Sequence, residues 1–246
     1  MKRHLLFALV LSASTCMPAW PEGFRVLVFS KTSGFRHDSI PSGIGLIHSL
    51  GASHGFAVDS TEDASRFTRK ALAGYRVVIF LNTTGDVLSS RQQAALEAYV
   101  RNGGGWVGVH SAADTEYDWP FYGTLLGGGA WFLGHPPIQT ARLEVERATH
   151  ASTRHYPAAF SFTDEWYNFR RNPRGAVQTL LTIDESTYDP GPGAMGDHPI
   201  AWFHFVGKGR SWYTNLGHRS ETYDDPSFMS HLLGGIRWAA ARTPRH

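Results

Sequence analysis

Residues 103–119, GGGWVGVHSAADTEYDW, decide the fold. Three glycines lead into Trp106-Val107-Gly108-Val109, which reads as a buried strand, and the run stops at His110-Ser111 before a short acidic stretch. A strand that ends in a tight turn presents its next side chain at the carboxyl edge of its sheet, where ligands bind in open α/β folds. A helix over 111–118 would place His110, Asp114 and Asp118 at i, i+4 and i+8, roughly on one face. An imidazole and two carboxylates on one face suit acid–base work or a metal. The plainer alternative is that the acids favour the positive end of a helix and the histidine is hydrogen-bonded in place.

Working outward, 24–30 (FRVLVFS) and 75–81 (YRVVIFL) are near-continuous apolar runs of strand length, the pattern of strands covered on both faces. A shorter strand falls over 56–59. A helix after the first strand starts at Asp38 or Ser39, tolerates Pro41 in its first turn and buries Ile40, Ile44, Ile47 and Leu50. A second begins at Ser90 with Gln93 placed for a capping box and turns Leu96, Tyr99 and Val100 inward. Four strands with two helices between them predict a parallel, doubly wound α/β sheet. The second half is richer in strands: 136–145, 176–184, and 199–205 with 209–215 as a hairpin, closed by a helix over 226–241. One domain over 24–241 with an elaborated second half is the simplest organisation.

The 246 residues are 42% hydrophobic and 18% charged, with 23 basic against 21 acidic side chains and no dense basic run. Nucleic acid and anionic membrane are therefore poor partners. Residues 1–20 read as an export signal: Lys2-Arg3-His4, a short apolar run over 5–11, then small residues. The run is too short to span a bilayer. Cleavage near 16–20 is preferred over lipidation at Cys16, because Ala13 and Thr15 make a poor lipobox. No cysteine follows Cys16, so the mature domain has neither disulfide nor thiol nucleophile.

Polar residues gather where the predicted parallel strands end. Arg36, His37 and Asp38 follow the first strand; Thr83, Thr84 and Asp86 the third; His110, Ser111 and Asp114 the fourth. A parallel sheet brings these loops to one edge. Later come His135, Asp164-Glu165-Trp166-Tyr167-Asn168, His198 and His218. Unpaired carboxylates are seldom buried, so Asp164-Glu165 ahead of aromatics favours a pocket lining. Asp86 also fits a turn former, Trp166 a core residue and His198 a structural one. His37, His110 and His218 are candidate ligands of a divalent metal. There is no HExxH, P-loop, CxxC or GxSxG, and no nucleotide cofactor is expected.

The segments FSKTSGFRHDSIPSG, FLNTTGDVLS, GGGWVGVHSAADTEYDWPFYGTLLGG, GHPPIQ, TDEWYNF, DHPIAW and TNLGHRSETYDDP, in this order, resemble the ThuA-like (trehalose-utilisation) family. The resemblance implies a flavodoxin-like sandwich of the class I glutamine amidotransferase type. His110 stands where amidotransferases carry a nucleophilic cysteine, so thiol-dependent glutamine hydrolysis is not expected. It also implies work on trehalose-type disaccharides or their 3-keto derivatives, in the periplasm if the export signal operates. On that basis His110 is assigned as base or ligand with Asp114 orienting it, and Glu165 as a second acid/base. His37 and His218 polarise a carbonyl or bind metal, and Arg36, Asp86, His135, Trp166, Asn168 and His218 contact sugar. A metal-assisted hydrolase and a non-catalytic sugar-binding protein remain open.

Overall fold

The computed structural model describes residues 23–241. The export signal read at 1–20 lies outside them. The elements run β1 (Arg25–Phe29), α1 (Ile40–His54), β2 (Ala57–Thr61), α2 (Arg69–Leu72), β3 (Val77–Leu81), α3 (Ser90–Arg101), β4 (Gly105–Val109) and α4 (Pro120–Leu125). They continue with β5 (Phe132–Gly134), β6 (Gln139–Val145), β7 (Ala159–Asp164), β8 (Asn168–Phe169), β9 (Gln178–Asp184), β10 (Pro199–Val206), β11 (Gly209–Thr214) and α5 (Pro226–Ala240).

The main sheet has nine strands in the order β2-β1-β3-β4-β11-β10-β9-β6-β7. Its first five strands pair in parallel and follow the flavodoxin-like order, with β11 filling the last place. From β11 onward every pairing is antiparallel. Four reversals between β11 and β7 bring β7 back to the direction of β11, so both strands end at the same edge as β1, β3 and β4.

All residues of β3 and β4 are buried, as strands covered on both faces require. One face carries α1 and α5, with Ile47, Leu50, Phe228 and Leu232 packed on Val26, Ile79 and Val107. The other carries α2, α3 and α4, with Leu72, Leu96 and Tyr122 packed on Leu27, Phe80 and Trp106. The doubly wound prediction holds. Among the described residues, no helix is long and apolar enough to cross a membrane.

Three local readings differ. Residues 111–118 form no helix: a 3-10 turn covers His110–Asp114, and Thr115 then bridges to Gly85. His110, Asp114 and Asp118 therefore share no helical face. The capping box of α3 uses Ser89 and Gln92, one residue earlier than expected, and Gln93 instead donates to Glu116. Ser39 precedes α1 without capping it and donates to the carbonyl of Gly217. The small β5–β8 sheet and β7 were not anticipated.

Candidate active site

Four titratable side chains meet above the carboxyl edge of the sheet: His37, His110, Glu165 and His218, each offering a ligand atom within 4.8 Å of the others. They come from the loops after β1, β4, β7 and β11, the strands that end on this edge. The convergence expected for His37 and His110 is present, and the second half of the chain completes it.

His110 takes the first position after β4 with φ +49°, a left-handed conformation that a non-glycine residue adopts at a cost of roughly 1–3 kcal/mol. The tyrosine hydroxyl of Tyr213 donates to its carbonyl at 2.9 Å. Its Nδ1 lies 2.8 Å from the backbone carbonyl of Asn215. A carbonyl only accepts, so Nδ1 carries the proton and Nε2 faces the cluster. Nε2 stands 3.3 Å from Glu165 Oε2 and 3.3 Å from His218 Nδ1. His218 Nδ1 is 3.1 Å from the same carboxylate oxygen. The other oxygen, Oε1, faces His135 Nδ1 at 3.0 Å. Glu165 is thus a buried carboxylate ringed by three imidazoles. On the remaining side, His37 Nδ1 sits 3.3 Å from Ser111 Oγ.

Asp164 locks the two later loops together. Its carboxylate accepts from the backbone N–H groups of Glu165 (3.0 Å), Gly217 (2.8 Å) and His218 (3.2 Å), and from the Thr222 hydroxyl (3.1 Å). At Gly217, φ is +121°, and a Cβ would lie 2.8 Å from the Tyr223 hydroxyl, so the turn that delivers His218 requires glycine. His198 accounts for the next stretch: fully buried, it bridges Glu185 at 2.8 Å and the Tyr167 carbonyl at 2.9 Å, a structural role as expected.

The electrostatics follow from burial and these contacts. Burial, reinforced by the neighbouring imidazoles of His110 and His218, lowers the His37 pKa to about 3. Burial also opposes ionisation of Glu165, but the imidazoles of His110 and His218 beside it outweigh that and hold the carboxyl below its ordinary range. At His218 burial disfavours the charge, and Glu165 overrides it, raising the imidazolium's pKa. Burial pushes the Asp164 carboxyl up despite its four donors. A low-dielectric pocket holding one carboxylate and several imidazoles is built for moving protons or holding a cation.

The other expected residues divide. His135 is in the site, with its side chain 40% exposed. Asn168 lines a cavity of about 270 Å³ beside His135, together with Leu133, Pro136, Pro190 and Pro192. Its Nδ2 donates to the Pro190 carbonyl, while its buried Oδ1 has no partner among the described residues. Asp114 does not orient His110: it receives the Tyr117 hydroxyl, and Asn215 does the orienting. Arg36 is exposed and paired with Glu62 at 2.7 Å. Asp86 lies on the surface, where its carbonyl accepts from Ser33. Trp166 is fully buried with its indole N–H on the Gln139 carbonyl, a core residue rather than a sugar platform. The aromatic ring that does stand free beside the cluster is Phe35, 66% exposed and edge-on to His37. Asn215 and Phe35 are the residues that sequence reasoning missed, and Asp164, read there as a lining acid, instead fixes the two loops. Asn215 acts on His110 through a backbone atom, which no motif marks.

Comparison with known proteins agrees with this architecture. The trehalose-utilisation (ThuA) family model matches residues 25–239. A ThuA-like protein from Bacteroides uniformis superposes with a TM-score of 0.76 at 30% identity, covering 91% of this chain and 95% of that one. One from Parabacteroides merdae gives 0.71 at 21% identity, covering 92% and 93%. The glutaminase domain of Trypanosoma brucei CTPS gives 0.52 at 11% identity over 87% and 94%, a likeness of fold alone. No curated protein matches. With its family model spanning nearly the whole described chain and a solved relative at 30% identity, the chain belongs to the trehalose-utilisation (ThuA) family.

Proposed function

We propose that this protein is an exported enzyme of carbohydrate metabolism that acts on trehalose-type disaccharides, or their 3-keto derivatives, by acid–base chemistry. The observation that carries the reading is Glu165, buried yet charged, between the partly exposed imidazoles of His135 and His218. A ketone acidifies the neighbouring C–H. One imidazole removes that proton, the electron pair forms a C=C bond, and the glycosidic C–O bond on the next carbon breaks. The second imidazole, protonated, gives its proton to the departing sugar oxygen. Reprotonation of the enolate without bond cleavage gives isomerisation instead. Glu165 steadies the imidazolium in either course. Phe35 provides an apolar face for one sugar ring, and the cavity at Asn168 accepts hydroxyls of the other.

The family's description supports a sugar substrate, and residues 1–20 support export. The test is turnover of trehalose and 3-keto-trehalose by the wild type and by Glu165→Gln. Product from the wild type, reduced at least 10²-fold in the variant, is expected. Saturable sugar binding with no product would replace the enzyme reading with a sugar-binding one.

A further inference from the structure

Three donor atoms of the cluster form a nearly equilateral triangle. The edges are 3.3 Å (His110 Nε2 to Glu165 Oε2), 3.3 Å (His110 Nε2 to His218 Nδ1) and 3.1 Å (His218 Nδ1 to Glu165 Oε2). Ligands at about 2.0–2.1 Å from a tetrahedral ion stand about 3.3–3.4 Å apart. Calcium, with bonds of about 2.3–2.6 Å and a preference for oxygen, fits neither the spacing nor the nitrogen-rich set.

The protons point the same way. Because His110 Nδ1–H is committed to the Asn215 carbonyl, the Nε2 lone pair of the neutral ring is directed at a carboxylate oxygen and at a second imidazole nitrogen. Electron pairs on three atoms at this spacing repel unless a cation lies among them. A single proton joins two of the three; a metal ion takes all three.

Three of the four donor residues also have a partner behind them, the arrangement that fixes ring orientation in metal sites. Asn215 O backs His110, Ser111 Oγ contacts His37, and His135 faces the outer oxygen of Glu165. His37 supplies a fourth donor from slightly further out.

We propose that His110, His218, Glu165 and His37 bind one first-row transition ion, zinc or a congener, with a coordination position left for water or a substrate oxygen. Three imidazoles and one carboxylate suit such ions and not magnesium. Binding of the ion stands on this geometry alone; its chemistry rests on the reading above. There it would polarise a sugar carbonyl, leaving the more exposed His135 as the group that moves the proton.

The experiment is a cobalt(II) titration of untagged, chelator-stripped protein followed by visible absorption, with metal analysis of the protein as purified. A d–d band saturating at one equivalent is expected. Affinity should fall at least tenfold in Glu165→Gln and in His218→Ala, and stay unchanged in His150→Gln, a histidine outside the cluster. Thermal melts of the stripped proteins separate lost ligation from lost folding, and the near-isosteric Glu165→Gln keeps the shape of the site. No saturating band, or variants that bind as the wild type does, overturns the site. Turnover of 3-keto-trehalose on the same samples separates the two readings. Turnover without ion binding removes the metal and keeps the enzyme; one bound ion without turnover keeps the metal and removes the sugar chemistry.

Discussion

The carboxylate of Asp164 accepts the backbone N–H of Gly217 at 2.8 Å, tying the end of the outermost strand to the loop after a central one. Glu165 and His218 are the next residues along each segment, so this one contact sets the distance between a carboxylate and an imidazole of the site. Replacing Asp164 by Ala leaves buried N–H groups without an acceptor. We expect a loss of about 1–3 kcal/mol or more in urea unfolding. In the fraction that folds, kcat should fall by more than KM rises, because the reacting groups are misplaced rather than removed. An unchanged kcat would mean that the two loops hold their places without the tie.

His110 is held in a left-handed conformation, so backbone and side-chain effects can be separated there. Asn tolerates that conformation, and His110→Asn is expected to melt near the wild type while losing turnover at least 10²-fold. His110→Val, β-branched, should cost a further 1–3 kcal/mol or so of stability by chemical denaturation. Equal melting of the two variants would contradict the strained turn.

Glu116, also at positive φ, accepts the N–H groups of Val87 (2.9 Å) and Leu88 (2.7 Å) and pins the loop after β3. This loop braces the site loops through Thr84 and Phe35 and contributes no member of the histidine cluster. Glu116→Ala should lower stability by about 1–3 kcal/mol with turnover of the folded protein changed less than threefold. Denaturant melts and kinetics at saturating substrate check both parts.

His231 is fully buried between the Ser152 carbonyl and Thr214, and burial lowers its pKa to about 3. Above pH 6.5 both folded and unfolded states carry it neutral, so it adds no pH dependence there. As pH falls from 6.5 towards 3, only the unfolded chain takes up this proton and stability drops, by up to about 1.4 kcal/mol per pH unit. His231→Gln should remove close to one proton from the slope of unfolding free energy between pH 6 and 4. An unaltered slope would show that His231 charges in the folded state.

The sequence revealed the parallel strands because double coverage leaves unbroken apolar runs such as Val77–Leu81. It misled at the start of α3 because Ser89/Gln92 and Ser90/Gln93 both satisfy the capping-box spacing. The choice is made by Glu116, distant in sequence, which takes the Gln93 amide. His37, His110 and His218 stood out as polar residues where strands end, and Glu165 as a carboxylate ahead of aromatics. Their partners did not: Asn215 works through a carbonyl, and Asp164 looked like a second lining acid until its four donors were seen. Phe35, not Trp166, supplies the exposed ring, because exposure depends on which strand a residue adjoins and not on ring size.

The placement of β11 beside β4 has a consequence for synthesis. Ser211 aligns with Trp106, so β4 lacks its neighbour on that side until about a hundred more residues have been made. At translation rates of about 5–20 residues per second that interval lasts roughly 5–20 s. During it a nascent chain that had already assembled β1, β3 and β4 would present an apolar, unpaired strand to every other nascent chain nearby. Success in producing this protein should therefore depend on what shields the half-made sheet, with slower synthesis or added chaperone raising yield more than any change at the finished surface.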